Sequence, residues 1–261
     1  MKKTYKASHL VMMALGAALV ASPASAQDEA AMALFKDMSD YLTSQEAIST
    51  SYDATLEIVS REFEKISLAS SGSITANRPD KVQMTRTGLA DVEMVFDGKT
   101  LSFHGKNLNV TAKQDFEGTI DDLIDTLRLD YGLDIPAADL LSSNPYEIMT
   151  SNVVDAKTLG SGVIRGESCS HLLFRTDEVD WEIWISDGDT PKPCRFTITS
   201  KMMVMAPSYT IEFTGWKTGG DVAANEFKLK TDADTKEIAI GDLQAAIDEI
   251  ALIGAAKGGA Q

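Results

Sequence analysis

The strongest constraint on the fold is a long series of short, strand-like segments between residues 51 and 217. They are rich in Val, Ile, Thr, Phe and Tyr, and turn residues separate them, as at the hairpin turn predicted for Asp97 and Gly98. A sheet of ten or so antiparallel strands accumulates twist, so it must curl or close. The pattern therefore predicts the α+β class, with one large, strongly curved antiparallel sheet.

Four segments have the apolar spacing of helices that could cover one face of this sheet. Residues 28–43, for example, place apolar side chains at the i, i+3, i+4 and i+7 positions of a single helical face. If the covering helices leave space above the sheet, an apolar cavity results. The predicted helices are residues 28–43, 119–130, 137–141 and 242–254.

The first 26 residues have the form of a cleaved export signal. Three lysines precede an apolar core, residues 10–21, that is too short to span a bilayer comfortably. Residues 24–26 read Ala-Ser-Ala, the pattern recognised by signal peptidase, so we expect cleavage between Ala26 and Gln27. Residues 27–261 are then expected to form a single exported domain in the periplasm, without a transmembrane segment.

The chain is acidic, with a formal net charge of −15. The predicted signal peptide carries three lysines and no acidic residue, so cleavage would bring the charge to −18, which is −15 minus 3. A charge of this sign argues against nucleic acids and anionic membrane surfaces as direct partners.

Both cysteines and one histidine lie on strands predicted between residues 166 and 201. Cys169 and His171 alternate onto one strand face, but a catalytic pair also needs an orienting group and an oxyanion hole, and a zinc site needs three or four ligands. We therefore interpret the cysteines as structural. In an exported protein, a disulfide between Cys169 and Cys194 is favoured over two buried thiols.

The expected distance between the two strands is too long for that disulfide. Two residues on strands that flank a common middle strand lie roughly 9–10 Å apart, whereas a disulfide needs Cα atoms within about 7 Å. Cys169 and Cys194 both lie near predicted strand ends, where splaying or a bulge would remove the objection. In the same segment, Trp181 is predicted to face the core and Trp184 the opposite side of the sheet.

Other clusters of chemically interesting residues are interpreted as structural. Met202, Met203 and Met205 are predicted to lie on a strand as adaptable core filling, rather than as a copper site. Asp232 and Asp234 lie in a segment that lacks the glycine and the later glutamate of a calcium loop. The sequence contains no GxSxG, Walker, HExxH or Rossmann motif. We therefore expect no metal, no cofactor and no enzymatic activity.

Several stretches resemble a domain-of-unknown-function family of predicted bacterial periplasmic proteins. The resemblance covers roughly residues 30–217 and is most specific over 132–145 and 169–199. That family in turn resembles the LolA/LolB superfamily of lipoprotein localisation factors, which implies an incomplete antiparallel β-barrel lidded by helices around a cavity for acyl chains. The stretches are RPDKVQM, VFDGKTLSFH, TIDDLIDTL, GLDIPAADLLSSNP, CSHLLFRTDEVDWEIWISDGDTPKPCRFTITSK and PSYTIEFTGW.

The resemblance also implies a function, which is to bind or carry a hydrophobic ligand such as a lipid, an acyl chain or an acylated protein. The alternative is a non-enzymatic module for envelope interaction or maintenance, which would bind a protein partner and fill the barrel with its own side chains. An apolar void of roughly 300 Å³ or more would favour the binding of a hydrophobic ligand. The candidate cavity residues are Phe96, Leu123, Leu127, Leu140, Leu141, Phe174 and Trp181.

Overall fold

A computed structural model describes residues 28–133, 135–231 and 233–242. The predicted signal peptide and nearly all of the helix predicted over 242–254 lie outside these residues. The twelve strands found within them are β1 (Ala47–Val59), β2 (Lys65–Asn77), β3 (Lys81–Thr87), β4 (Val92–Phe96), β5 (Thr100–Gly105), β6 (Val110–Asp115), β7 (Asp155–Ile164), β8 (Glu167–Arg175), β9 (Val179–Ser186), β10 (Pro193–Ser200), β11 (Ser208–Thr218) and β12 (Lys236–Ile238).

The helices are few and short. The α-helices that lie wholly within the described residues are α1 (Glu29–Thr43), α2 (Ile120–Leu129) and α3 (Pro145–Thr150). Single 3₁₀ turns occur at Lys106–Leu108, Ala138–Leu141 and Gly219–Asp221.

All twelve strands form one sheet, built from two meanders that meet at its centre. Strands β1 to β6 follow one another outward on one side and β11 to β7 on the other, with β1 and β11 paired antiparallel. Residues 116–154 cross between the two outer regions and carry α2 and α3. Strand β12 pairs in parallel with β6, and the other neighbours are antiparallel. The sheet is curved and unclosed, which confirms the predicted fold class.

Short hairpins explain why consecutive strands pair, and the turn at Asp97 is an example. Its side chain accepts hydrogen bonds from the backbone N–H groups of Lys99 (3.0 Å) and Thr100 (2.8 Å). Gly98 has a φ of +90°, and a Cβ there would lie 2.5 Å from the carboxylate of Asp80. The predicted turn therefore needs glycine for both its backbone angle and its close contact.

The inner face of the sheet carries two groups of buried side chains, one under each long helix. Phe35 of α1 is fully buried, with its ring centroid 5.3 Å from Phe174 and 5.1 Å from Trp181. Helix α2 contributes Leu123 and Leu127 to the second group, on the side of β3 to β6. The predicted inward orientation of Trp181 is confirmed, and Trp184 lies half-buried on the outer face.

The structure differs from what the sequence indicates at three points. The stretches SNVVDAKTLG and GVIRG have the pattern of two separate strands, but they form one strand, β7, which begins only at Asp155. Helix α3 is not predicted, although Asn144 caps it by accepting from the backbone N–H of Glu147 (3.3 Å) and proline occupies its first turn. The methionine segment forms a turn, closed by the backbone hydrogen bond from Ser200 to Pro207 (3.0 Å). Its methionines are exposed, so the prediction of core filling is wrong.

Candidate ligand-binding site

An apolar cavity of about 80 Å³ lies between the central strands, α2 and the segment that follows α2. It can hold a few water-sized molecules, which is well below the several hundred Å³ that would by itself favour a ligand. Nearly all of its lining is apolar: Leu42, Ile48, Thr50, Tyr52, Ile74, Val82, Met84, Met94, Ile120, Leu123, Ile124, Leu127, Arg128, Leu133, Ile135, Pro136, Ala137, Ala138, Leu140, Leu141, Tyr209, Ile211, Phe213 and Trp216.

Helix α2 forms one wall of this cavity, and its N-terminus is fixed by a reciprocal cap. The backbone N–H of Thr119 donates to the Asp122 carboxylate (2.8 Å), and the backbone N–H of Asp122 donates to the Thr119 hydroxyl (3.3 Å). The Asp122 carboxylate also accepts from the Thr119 hydroxyl (2.7 Å), and the two hydrogen bonds that it accepts from Thr119 hold its pKa below the ordinary value. The cap sets the start of the helix, so that Leu123 and Leu127, one turn apart, both face the cavity.

Residues 135–143, which we call the strap, cover the cavity opposite the sheet. The outer part of the strap, residues 135–139, is held by the Arg128 guanidinium, which donates to both carboxylate oxygens of Asp139 at 3.0 Å. The inner end is held by Arg78, whose Nη1 donates to the carbonyl oxygens of Leu141 (2.7 Å) and Ser142 (3.1 Å). Burial lowers the pKa of Arg78, and the nearby charge of Asp121 raises it in part. The strap thus has a partly exposed attachment and a more buried one.

A wider groove of about 690 Å³ adjoins the cavity at the outer end of the strap. Its volume falls in the range of about 300–1,000 Å³ that is usual for ligand pockets. The groove lining mixes apolar side chains such as Ile198 and Trp181 with polar ones such as Glu57 and Ser208. Both linings share Arg128, Ile135, Pro136, Ala137 and Tyr209, so the cavity and the groove adjoin, and we describe them together as one candidate site.

Two tyrosines on the central strands lie in this site. Tyr52 donates its hydroxyl to the carbonyl oxygen of Thr85 (2.9 Å), and burial raises its pKa. Burial also raises the pKa of Tyr209, which lines both parts of the site. Burial thus favours the neutral form of both side chains, which suits an apolar lining.

The seven candidate cavity residues fall into three places. Leu123, Leu127, Leu140 and Leu141 line the apolar cavity, and Trp181 lines the wider groove. Phe96 and Phe174 are fully buried and line neither part. Contact of any of them with a ligand stays a prediction.

Most of the wall that the central strands contribute is not among the residues predicted from the sequence. Ile48, Thr50 and Tyr52 alternate along β1, and Tyr209, Ile211 and Phe213 alternate along β11. This period of two was visible in the sequence and marks one sheet face. Nothing in the sequence alone indicated that these two strands would be neighbours.

The cysteines and His171 lie on the outer face, away from this site. Cys169 and Cys194 form a disulfide with a Cα–Cα distance of 6.8 Å, where the register of β10 shifts between Pro193 and Arg195. This bulge brings the two Cα atoms closer than the roughly 9–10 Å expected for residues two strands apart. His171 hydrogen-bonds Glu182 (2.6 Å) and stacks on Trp184 at 3.9 Å. Because both sulfur atoms are bonded to each other, neither is available as a nucleophile or a thiolate ligand.

A known protein family matches most of the chain. The model of DUF2092, described as a predicted periplasmic protein, matches residues 31–241. The chain belongs to the DUF2092 family. Its membership confirms the resemblance to a family of periplasmic proteins, and the match reaches beyond residue 217 to include β12. A comparison with curated proteins finds no significant match.

Solved structures of low identity also resemble the DUF2092 chain. Lipoprotein LppX of Mycobacterium tuberculosis is 14% identical with a TM-score of 0.45, over 76% of this chain and 99% of that one. LprF of Mycobacterium bovis is 12% identical with a TM-score of 0.44, over 77% and 99%. The Pseudomonas aeruginosa MucA/MucB complex matches at 13% and 0.44, over 77% of this chain and 61% of that one. Within the described residues, no helix is long and apolar enough to cross a bilayer.

Proposed function

We propose that this periplasmic protein binds a hydrophobic ligand, with an acyl chain in the apolar cavity and a more polar end in the wider groove. The single observation that carries the proposal is that an apolar space and an open groove lie side by side and share five lining residues, Arg128 and Tyr209 among them. Ligand pockets commonly combine an apolar interior with a few polar groups. The proposed role is binding or carrying, without catalysis.

The cavity must widen to admit an acyl chain, and the strap is the element suited to move. Burying about ten methylenes contributes about 8 kcal/mol. The Arg128–Asp139 pair is about one-third exposed (35% and 26%), and such a pair contributes only about 0–1 kcal/mol. The outer end of the strap can therefore open on ligand binding while Arg78 holds the inner end.

The first test is native mass spectrometry of protein purified from the periplasm without detergent, followed by organic extraction. A copurifying lipid that is released on unfolding supports the proposal and identifies the ligand class. An unliganded mass, together with failure to take up a fluorescent fatty acid, refutes it and favours the alternative of an envelope interaction module.

Two variants of α2 sharpen this test. Ile124→Trp places a large side chain in the cavity wall and should weaken fatty-acid binding by about tenfold or more, because it occupies the space needed by the chain. Leu129→Trp is the matched control on the same helix, at a position that is 77% exposed and lines neither part of the site. Equal affinities of the two variants would contradict the proposed position of the acyl chain.

A further inference from the structure

Two neighbouring hairpin turns at one end of the sheet expose a group of large apolar side chains. The turn between β1 and β2 carries Phe63, which is 67% exposed. The turn between β10 and β11 carries Met202 to Met205, of which Met202 is 78% and Val204 62% exposed. We call residues 60–64 and 201–207 the apolar tips.

The two apolar tips are held side by side. Strand β1 pairs with both β2 and β11, so its end brings the two turns together. Lys65 of β2 donates to the carbonyl oxygen of Ala206 (3.5 Å) and pairs with Glu57 (3.2 Å). Glu57 in turn accepts from the backbone N–H (2.9 Å) and hydroxyl (2.8 Å) of Ser208. The exposed side chains therefore form one surface.

Each turn is internally ordered around its exposed residues. In the first turn, the Ser60 hydroxyl accepts from the backbone N–H groups of Glu62 (3.2 Å) and Glu64 (3.1 Å). Phe63 and Met205 have φ angles of +62° and +63°, in the left-handed region where Gly or Asn is normally preferred. These large apolar side chains are exposed to water, and their backbone has a φ angle that costs free energy for a residue other than glycine. Both features point to a contact surface.

One of the apolar tips borders the wider groove. Met203 and Pro207 of the tip formed by residues 201–207 line the groove, as does Leu56 near the end of β1, which leads into the other tip. The exposed side chains of Phe63, Met202 and Val204 are not part of the lining. A surface that contacts the tips would therefore lie beside the groove.

Charge and size identify the kind of surface that fits. Residues 60–65 carry two cations and two anions, and residues 200–207 carry one cation, in a chain with a net charge of −15. Two short turns offer less area than the roughly 800 Å² per partner of a stable protein interface. Insertion of apolar side chains among lipid headgroups needs no shaped partner, and lysine and arginine side chains at such sites extend toward the headgroups.

We propose that the two apolar tips insert into the interfacial layer of a zwitterionic lipid bilayer and bring the adjoining groove to the membrane surface. The insertion would allow the protein to exchange a ligand with the membrane. That purpose rests on the function proposed above, whereas the docking itself does not. Because the chain is strongly acidic, anionic lipid should weaken the contact.

The test is flotation with vesicles of phosphatidylcholine, alone or mixed with phosphatidylglycerol. The variant F63S/M202S/V204S changes only residues outside both linings of the site. The control V154S/L159S/V163S removes three exposed apolar residues in and just before the edge strand β7, which are 53%, 49% and 72% exposed. We expect the tip variant to lower partitioning into phosphatidylcholine vesicles by about tenfold or more, and the control to stay within about twofold of the wild type.

Four flotation results would overturn the proposal. These are a wild type that does not float, a tip variant that floats as well as the wild type, a control variant that loses as much flotation as the tip variant, and binding that increases with phosphatidylglycerol. Sedimentation equilibrium gives a fifth such result, because a dimer that dissociates only in the tip variant would assign the tips to a second copy of the chain.

Fatty-acid titration of the same samples separates this proposal from the proposed function. Equal uptake by all three proteins, with flotation lost only in the tip variant, supports both. Failure of uptake by all three, with the same flotation pattern, refutes ligand binding and leaves docking supported. Should the tip variant not fold, Phe63→Trp in the otherwise unchanged chain gives a second measurement: a blue shift of its emission with phosphatidylcholine vesicles supports docking, and an unchanged spectrum overturns it.

Discussion

Removal of the Cys169–Cys194 disulfide should lower the free energy of unfolding by about 3.5 kcal/mol. The two cysteines are separated by 25 residues. In the chain-entropy relation, a loop of this length adds about 12 cal/mol/K of entropy to the unfolded chain when the bond is absent, which is about 3.5 kcal/mol at 298 K. For a domain of this size, the loss corresponds to a decrease in Tm of about 7–14 °C.

Thermal unfolding of Cys169→Ala, Cys194→Ala and the double variant tests this value. Each single variant already breaks the bond, so all three should lose nearly the same stability, and the two single losses should not add. Ile164→Val is the matched control, because Ile164 is 7% exposed and packs in the same outer-face cluster. It should cost about 0.5–1.5 kcal/mol.

Two results would refute the reasoning. Single losses that sum to that of the double variant would show that the cysteines stabilise by packing rather than by the bond. A double variant within about 1 kcal/mol of the wild type would show that the unfolded chain gains little freedom when the bond is absent.

Three further predictions concern the site and the dependence on pH. Leu127→Ala should cost about 2–5 kcal/mol of stability, as is usual for a buried leucine, and should increase fatty-acid affinity by enlarging the cavity, as calorimetry and titration would show. Asp139→Asn should cost less than about 1 kcal/mol but speed the release of a fluorescent fatty acid in stopped-flow experiments, because it weakens the outer attachment of the strap; an unchanged release rate would contradict that role. Hydrogen bonds from Thr158 hold the pKa of Asp28 below its ordinary 3.8. The folded protein thus binds this proton at lower pH than the unfolded chain, so the carboxylate stabilises the fold above its ordinary pKa, and this contribution is lost as the pH falls through the folded-state pKa. Asp28→Asn should therefore flatten the acid side of a plot of Tm against pH.

The sequence predicts those parts of the fold that local signals determine. The helix predicted over residues 119–130 and the turn at Gly98 both depend on residues close in the chain, and both are found, the helix as α2 with Thr119 as its cap. Strand β12 depends on a partner about 126 residues earlier, since Lys236 pairs with Val110, and three residues carry too little periodicity to indicate a strand. The methionine turn differs from the predicted strand because apolar character does not by itself imply burial, and its methionines are exposed.

The candidate site shows the same division between local and long-range information. Leu123 and Leu127 were identified because a helical face is visible in the sequence. The opposite wall joins residues such as Tyr52 and Phe213, which lie opposite each other across β1 and β11 and are far apart in the chain. Their contact follows from the closing of two meanders at the centre of the sheet, which no local pattern encodes.

The position of the cavity follows from the number of helices available to cover the sheet. Twelve strands at about 4.8 Å spacing span about 50 Å, whereas a helix with its side chains is about 10–12 Å wide. Helix α1 packs on Phe174 and Trp181 toward one end of the sheet, and α2 packs with Leu101 and Phe103 toward the other. Between the two helices, the inner face of the central strands is covered by the curvature of the sheet and by the strap, whose Leu140 is buried there. The incompletely filled space therefore lies at the centre, under the strap, whose ion pair between Arg128 and Asp139 is partly exposed.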